Sequence, residues 1–210
     1  MAKDIATFID QLGRENEIFF SQLPESAIHY WHGEMSPEEA VRALQVRWFN
    51  ELRGVDIIGR FVSRVPDLTL KVLVGRQVGD EAKHAKVCRR RIAELGGDVR
   101  DFRPTARQLE FGDFLDSLVY PEEFFAAQQF TVETQSLQRN ERALECFDAK
   151  TAQMFRTQIN PDERFHVALG HLGLRAFART TVAQQRAADA AARVRDIHSA
   201  MVMAHRAGAA

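Results

Sequence analysis

Apolar positions along this chain recur at intervals of three and four, and the strict alternation of half-buried strands is absent. The clearest run, Val41, Leu44, Trp48, Leu52, Val55, Ile58 and Val62, draws one stripe along a helix. Ser36-Pro37-Glu38-Glu39 would open that helix with an N-cap hydroxyl, a proline at the first helical position and acids in the first turn. Pro66 ends it. A second helix is predicted from about 67 to 95, through Leu70, Leu73 and Val87, with Gly96-Gly97 as its C-cap. A third begins at Pro121-Glu122-Glu123 and reaches about 147; a fourth runs from about 148 to 177, with Pro161 inside it as a kink. The connection from 96 to 120 holds a short helical piece near 108 to 118. Residues 1 to 22, built on Ile5, Phe8, Ile9, Leu12, Ile18 and Phe19, predict an extra amphipathic helix, and the Ala- and Arg-rich stretch 181 to 205 predicts another.

The loops set the topology. Short turns near Pro66 and Phe147 make the first and second helices antiparallel, and likewise the third and fourth. The link of about 25 residues between the pairs is long enough to run the length of a bundle. The expectation is an all-α, four-helix bundle with one long crossover and flanking N- and C-terminal helices. With 210 residues of ordinary balance, 45% hydrophobic and 27% charged, one domain over 1–210 suffices, its core bundle spanning about 37–177.

Charge narrows the partners. A formal net charge of −1 does not suit a nucleic-acid binder working through a large field, and no apolar run approaches a membrane span. One basic run stands out: Lys86, Arg89, Arg90, Arg91, Arg100, Arg103 and Arg107. It reads either as cations favoured at a helix C-terminus or as a dock for an acidic partner. Cys88 and Cys146 lie within helical patterns rather than at disulfide-like spacing, so a reduced, cytoplasmic protein is expected.

The chemistry lies in a repeat. Glu51, Glu81 and His84 are followed by Glu133, Glu163 and His166, each pair 82 positions apart. Every one of these glutamates falls near the middle of a predicted helix, and antiparallel helices of similar length bring their midpoints to one level. Four buried carboxylates would repel and drive one another's pKa values up unless cations neutralise them. Glu and His three apart share a helix face, so four carboxylates and two imidazoles could hold two divalent metals.

An aspartate precedes each motif, giving Asp80-Glu81-Ala82-Lys83-His84 and Asp162-Glu163-Arg164-Phe165-His166. Over about 37–177 this pattern resembles the ferritin-like di-iron carboxylate superfamily. The Asp-Glu-x-x-His form is similar to that of its oxygen-activating branch: bacterial multicomponent monooxygenases, acyl desaturases and the ribonucleotide reductase small subunit. The resemblance implies two iron ions, Fe/Fe or alternatively Mn/Fe. One would be held by Glu51, Glu81 and His84, the other by Glu133, Glu163 and His166, with one or two glutamates bridging. It also implies that Asp80 accepts a ring N–H from His166 and Asp162 one from His84. Cys88 stands where the reductase subunit places its radical tyrosine. Leu137 stands where the monooxygenases carry a threonine, with Thr134 and Ser136 out of register.

The activity this resemblance implies is O2-dependent oxidation of a small organic substrate by hydroxylation, desaturation or N-oxygenation. Electrons would come from an external ferredoxin or reductase, since the chain carries no Gly-rich dinucleotide loop and no cysteine cluster. A homodimer is expected. The alternative is a ferroxidase or iron-storage protein. Trp48, one turn before Glu51, reads as core or as an electron path, and His29, Tyr30, Trp31 and His32 as an aromatic loop that packs or that lines an entrance.

Overall fold

The computed structural model describes residues 1–23 and 33–206, with side chains through Met201; His29, Tyr30, Trp31 and His32 lie outside the described residues. Among the described residues there are seven helices and no strand. The helices are α1 (Ile5–Gln22), α2 (Pro37–Val62), α3 (Leu68–Glu94), α4 (Ala106–Ser117), α5 (121–143), α6 (149–177) and α7 (Thr181–Arg206).

Local chemistry explains the boundaries. Ser36 Oγ accepts the Glu39 N–H at 3.2 Å while Glu39 accepts the Ser36 N–H at 2.9 Å, a complete capping box at the start of α2. Thr105 and Gln108 build the same device at α4. Gly96, at φ +85°, closes α3 in a left-handed conformation, and Gly97 N–H reaches back to Ile92 C=O at 2.9 Å. Asp148 opens α6 by accepting the N–H groups of Lys150 and Thr151.

Two helices depart from plain α geometry. In α5 the stretch Phe125–Val132 is a π-helix, and Glu133 donates its N–H to Gln128 C=O, five residues back. In α6 the stretch Phe155–Ile159 is a second π-turn, ending at Asn160 N–H to Phe155 C=O. Pro161 comes at once after it. Its ring carries no N–H and would crowd the carbonyl four residues earlier, so the preceding turn widens and the helix continues, where the sequence suggested only a kink.

Cross-contacts give the helix directions. Between α2 and α3, Val41 faces Gly97 and Gly54 faces Glu81. Arg47 with Ser136 and Phe61 with Phe124 tie α2 to α5, the latter pair stacked at 3.8 Å. Gly170 faces Phe130 and Gly173 faces Phe125 between α5 and α6. Arg76 with Phe165 and Arg91 with Thr151 tie α3 to α6. In each pair one number rises as the other falls, so all four neighbouring pairs are antiparallel and α2, α3, α6 and α5 close a ring. The segment 95–120 runs back along α2, through Phe49 against Phe102, Arg53 with Asp113 and Arg60 with Asp116. Helices α1 and α7 pack on each other and on α6 and α5 respectively.

The interior has two apolar ends. One gathers Ile58, Phe61, Val74, Leu115, Phe124, Phe125 and Leu169; the other Leu44, Cys88, Ile92, Phe147, Phe155 and Ile159. The polar level lies between them. Helices α5 and α6 meet backbone to backbone at Gly170, where a Cβ would sit 2.7 Å from the Phe130 backbone nitrogen. Backbone cannot swing aside as a side chain can, so Gly170→Ala is expected to destabilise by about 1–3 kcal/mol, lowering the melting temperature by roughly 2–12 °C in thermal denaturation.

Candidate metal centre

All six repeated residues converge midway along the ring of helices, between the apolar ends. Glu51 comes from α2, Glu81 and His84 from α3, Glu133 from α5, Glu163 and His166 from α6, and none is more than 5% exposed. They form two overlapping groups: Glu51, Glu81, His84 and Glu163, then Glu81, Glu133 and His166.

Both imidazoles turn Nδ1 to the carboxylates. His84 Nδ1 lies 3.3 Å from Glu51, 3.5 Å from Glu163 and 4.0 Å from Glu81. His166 Nδ1 lies 3.5 Å from Glu81, 3.9 Å from Glu163 and 4.0 Å from Glu133. Glu81 and Glu163, the acids of the two Glu-x-x-His motifs, therefore each reach both histidines. Glu51 and Glu133 stand at opposite sides. The sequence pattern grouped Glu163 with His166 and left open which glutamates are shared; antiparallel packing of α3 on α6 brings Glu163 next to His84 as well.

The outward ring nitrogens meet the aspartates, and the pairing is crossed between helices. His84 Nε2 lies 3.1 Å from Asp162, and His166 Nε2 lies 3.5 Å from Asp80. A proton held on Nε2 by a carboxylate leaves the Nδ1 lone pair free to bind a cation. Lys83 pairs with Asp162 and Arg76 with Asp80 at 3.4 Å, which places cations behind both aspartates.

Four neighbours were not legible as part of the site. Arg47 pairs with Glu51 one turn along α2 and donates from Nη2 to Glu163 at 2.8 Å. Gln77 donates to Glu81 at 3.1 Å and Glu133 at 2.8 Å, Gln128 donates to Glu133 at 2.8 Å, and Gln129 donates to Gln77. Three of them were detectable in principle: Arg47, Gln77 and Gln129 each precede a site glutamate by four, the spacing that puts two side chains on one helix face.

The electrostatics are those of carboxylates short of cations. Burial, then the charges of Glu51, Glu133 and Glu163, raises the Glu81 carboxyl well above its usual value. Burial and the charge of Glu163 do the same to Glu133. Burial is the largest single influence on Glu51 and would raise it, but the Arg47 charge together with hydrogen bonds to Glu81 and His84 and the His84 charge prevails, and the net shift is downward. For His84, burial opposes protonation, but the Glu51 hydrogen bond and charge prevail and its pKa rises. Buried with no hydrogen-bond partner are Nδ1 of His166 and Oε2 of Glu163, while Nδ1 of His84 and Oε2 of Glu51 face each other at 3.3 Å. Such orphaned atoms are what a bound cation satisfies, so the residues fit a pair of divalent metals.

These shifts make stability depend on pH. Glu81, Glu133 and His84 hold protons in the metal-free fold at pH values where the unfolded chain has released them. Stability contributed by these protons is present below the unfolded pKa values and is lost as pH rises through the folded ones. His198, with its pKa lowered to about 3, works the other way, but the two glutamates and His84 outweigh it; chelator-treated protein is therefore expected to melt at a lower temperature at about pH 8 than at about pH 5, with divalent metal removing that fall.

A cavity of about 180 Å³ opens beside Glu51, Glu81 and Glu133, between α2, α4, α5 and α7. A second hollow of about 390 Å³, between α1, α5 and α6, touches none of the six. Cys88 is fully buried, burial pushing its thiol up, and Trp48 packs on the same apolar cluster. Ser136 accepts from Arg47, and the Thr134 hydroxyl donates to Phe130 C=O. Arg91 turns inward to Thr151 and Asp148, so the exposed basic run loses that member. Among the described residues no helix is long and apolar enough to cross a membrane. No known protein family matches the chain, and no curated protein or solved structure matches it significantly.

Proposed function

We propose that this chain is a ferritin-like di-iron carboxylate protein that uses O2 to oxidise a small organic substrate. The observation that carries the reading is the crossed pairing of His84 with Asp162 and His166 with Asp80 around four buried glutamates. The closed ring of four helices with one crossover along α2 agrees with the ferritin-like bundle.

In this reading two metals would be held by Nδ1 of His84 and of His166 together with the carboxylates of Glu51, Glu81, Glu133 and Glu163. Iron bound there would supply the electrons that reduce O2. Asp162 keeps the Nε2 proton of His84 in place, and Asp80 stands 3.5 Å from Nε2 of His166, where its charge favours the same tautomer. Arg47 holds Glu51 and Glu163, and Gln77 and Gln128 aim Glu133 by donating to one of its oxygens. The cavity brings substrate to the side bounded by Glu51, Glu81 and Glu133. An external ferredoxin or reductase would replenish electrons, docking through the exposed cations Lys86, Arg89, Arg90 and Arg103.

Iron content and O2 uptake test the proposal. Purified protein should bind about two irons per chain, as the two-metal ligand set implies, and should consume O2 catalytically when supplied with reductant. Failure to bind iron refutes the centre. Binding hundreds of irons per chain with growth of a mineral core would instead make it a storage protein.

A further inference from the structure

The cations that line the cavity beside the glutamates are already committed. Arg47 is held by Glu51 and Glu163, Arg53 pairs with Asp113 at 3.4 Å, and Arg139 is not without a partner. Phe49, Phe111 and Phe155 contribute aromatic walls. A charged occupant would exchange water for a partly apolar space whose countercharges are taken, a desolvation cost that an uncharged one escapes.

Two nitrogens on the α4 side of the cavity lack a hydrogen bond. His198, on α7, is nine-tenths buried and packs on Phe111 with ring centres 5.1 Å apart, and its Nδ1 is buried without a hydrogen-bond partner. Arg53, on α2, lies on the next residue of α4, Gly112, where a Cβ would sit 2.7 Å from Nε. That Nε is likewise buried without a hydrogen-bond partner, the pair with Asp113 being made through Nη2. Burial, with the charge of Arg139 second, lowers the His198 pKa to about 3, so the ring is neutral. Buried polar atoms of this kind are costly until something meets them.

The two nitrogens select a functional group. Arg53 Nε can only donate, whereas Nδ1 of a neutral imidazole donates or accepts according to its tautomer. A hydroxyl accepts through its oxygen and donates its proton, so it meets Arg53 and also meets His198 in either tautomer. A carbonyl or carboxylate accepts only and meets His198 in one tautomer. Size sets the rest. At about 180 Å³ the cavity is slightly larger than the roughly 150 Å³ that holds one benzene in an engineered apolar core, which leaves room for one ring with a small substituent. Arg53 follows Glu51 by about half a turn of α2, so the polar wall and the metal end flank the same stretch of cavity.

We propose that the cavity binds a small uncharged alcohol whose apolar part is about one ring, its hydroxyl held by His198 Nδ1 and Arg53 Nε and its apolar part turned toward Glu51, Glu81 and Glu133. That this molecule is the substrate rests on the di-metal reading; that it binds rests on the cavity alone.

Calorimetric titration of the full chain, loaded with redox-silent zinc, with benzyl alcohol and with toluene, which lacks only the hydroxyl, tests it. Benzyl alcohol should bind at least about tenfold more tightly, the scale on which buried polar groups regain a partner. His198→Phe keeps a ring against Phe111, and Arg53→Met removes an ion pair whose acid is open to solvent. Each should cut the preference to about threefold or less and leave toluene binding unchanged. Equal affinity for the two probes, no binding of either, or a tenfold preference that survives either substitution overturns the proposal. Benzoate should bind no more tightly than benzyl alcohol; a tighter hold on benzoate that His198→Phe removes would make the wall an anion site and overturn it too. Zinc content, measured separately, distinguishes the two failures: selective alcohol binding without two metals would retain the pocket and reject the centre, and two metals without that selectivity would do the reverse.

Discussion

Glu81→Ala is expected to abolish nearly all stoichiometric metal binding, whereas Glu51→Ala and Glu133→Ala should each leave about one ion per chain of the two that the ligand set accommodates. The difference comes from placement. Glu81 belongs to both donor groups, one oxygen 4.0 Å from His84 and the other 3.5 Å from His166. Glu51 belongs only to the group around His84, and Glu133 only to that around His166. Removing a shared ligand strips both groups and also takes away the anion that makes two neighbouring cations tolerable. Metal analysis after loading and desalting reads the result. Because Glu81 is buried and holds a raised pKa, the variant should fold without metal at least as well as the parent, which separates lost ligation from lost structure. Equal metal loss in all three variants would mean that the donors act as one undivided cluster.

The legible part of this site and the hidden part differ for a physical reason. The six donors could be found because each must be a particular residue type at a particular helical spacing, and the 82-residue repeat states that spacing twice. The crossed aspartates were expected only through the family resemblance that the residues adjoining the motifs carry. Helix order was legible for a similar reason: Ser36-Pro37 and Gly96 act locally, through hydrogen bonds within a few residues. The sharing of Glu81 and Glu163 was not, because it depends on how far α3 and α6 slide past one another, a property of packing. Nor were the π-turns before Glu133 and Asn160. Pro161 announces that an α hydrogen bond is missing, but whether the helix kinks or widens depends on what surrounds it. Arg47 was hidden in another way. An arginine one turn from a glutamate is ordinary on a solvated face, and only the inward turn of this face of α2 makes it part of the centre.

Arg47 also yields the second large effect. Arg47→Met is expected to destabilise the metal-free protein by about 3 kcal/mol, at the lower end of the cost of breaking a buried ion pair, because Glu51 and Glu163 lose their cation. The end is the lower one because those carboxylates can take up protons in part compensation. At about 2–4 °C per kcal/mol for a chain of this size, the melting temperature should fall by roughly 6–12 °C. In the metal-loaded protein the ions replace the lost charge, and the cost should shrink to about 1 kcal/mol, mainly lost packing and the contacts to Ser136 and Asn140. Thermodynamic linkage then requires the opposite effect on affinity. If the variant loses about 2 kcal/mol more without metal than with it, metal must bind the folded variant more tightly by about 30-fold. Removing a residue that touches two ligands would thus improve metal binding while weakening the empty fold. Melting curves with and without zinc, together with a competition titration against a chelator, measure both sides of the cycle. An equal fall in melting temperature in the two states, with unchanged affinity, would show that Arg47 serves packing alone.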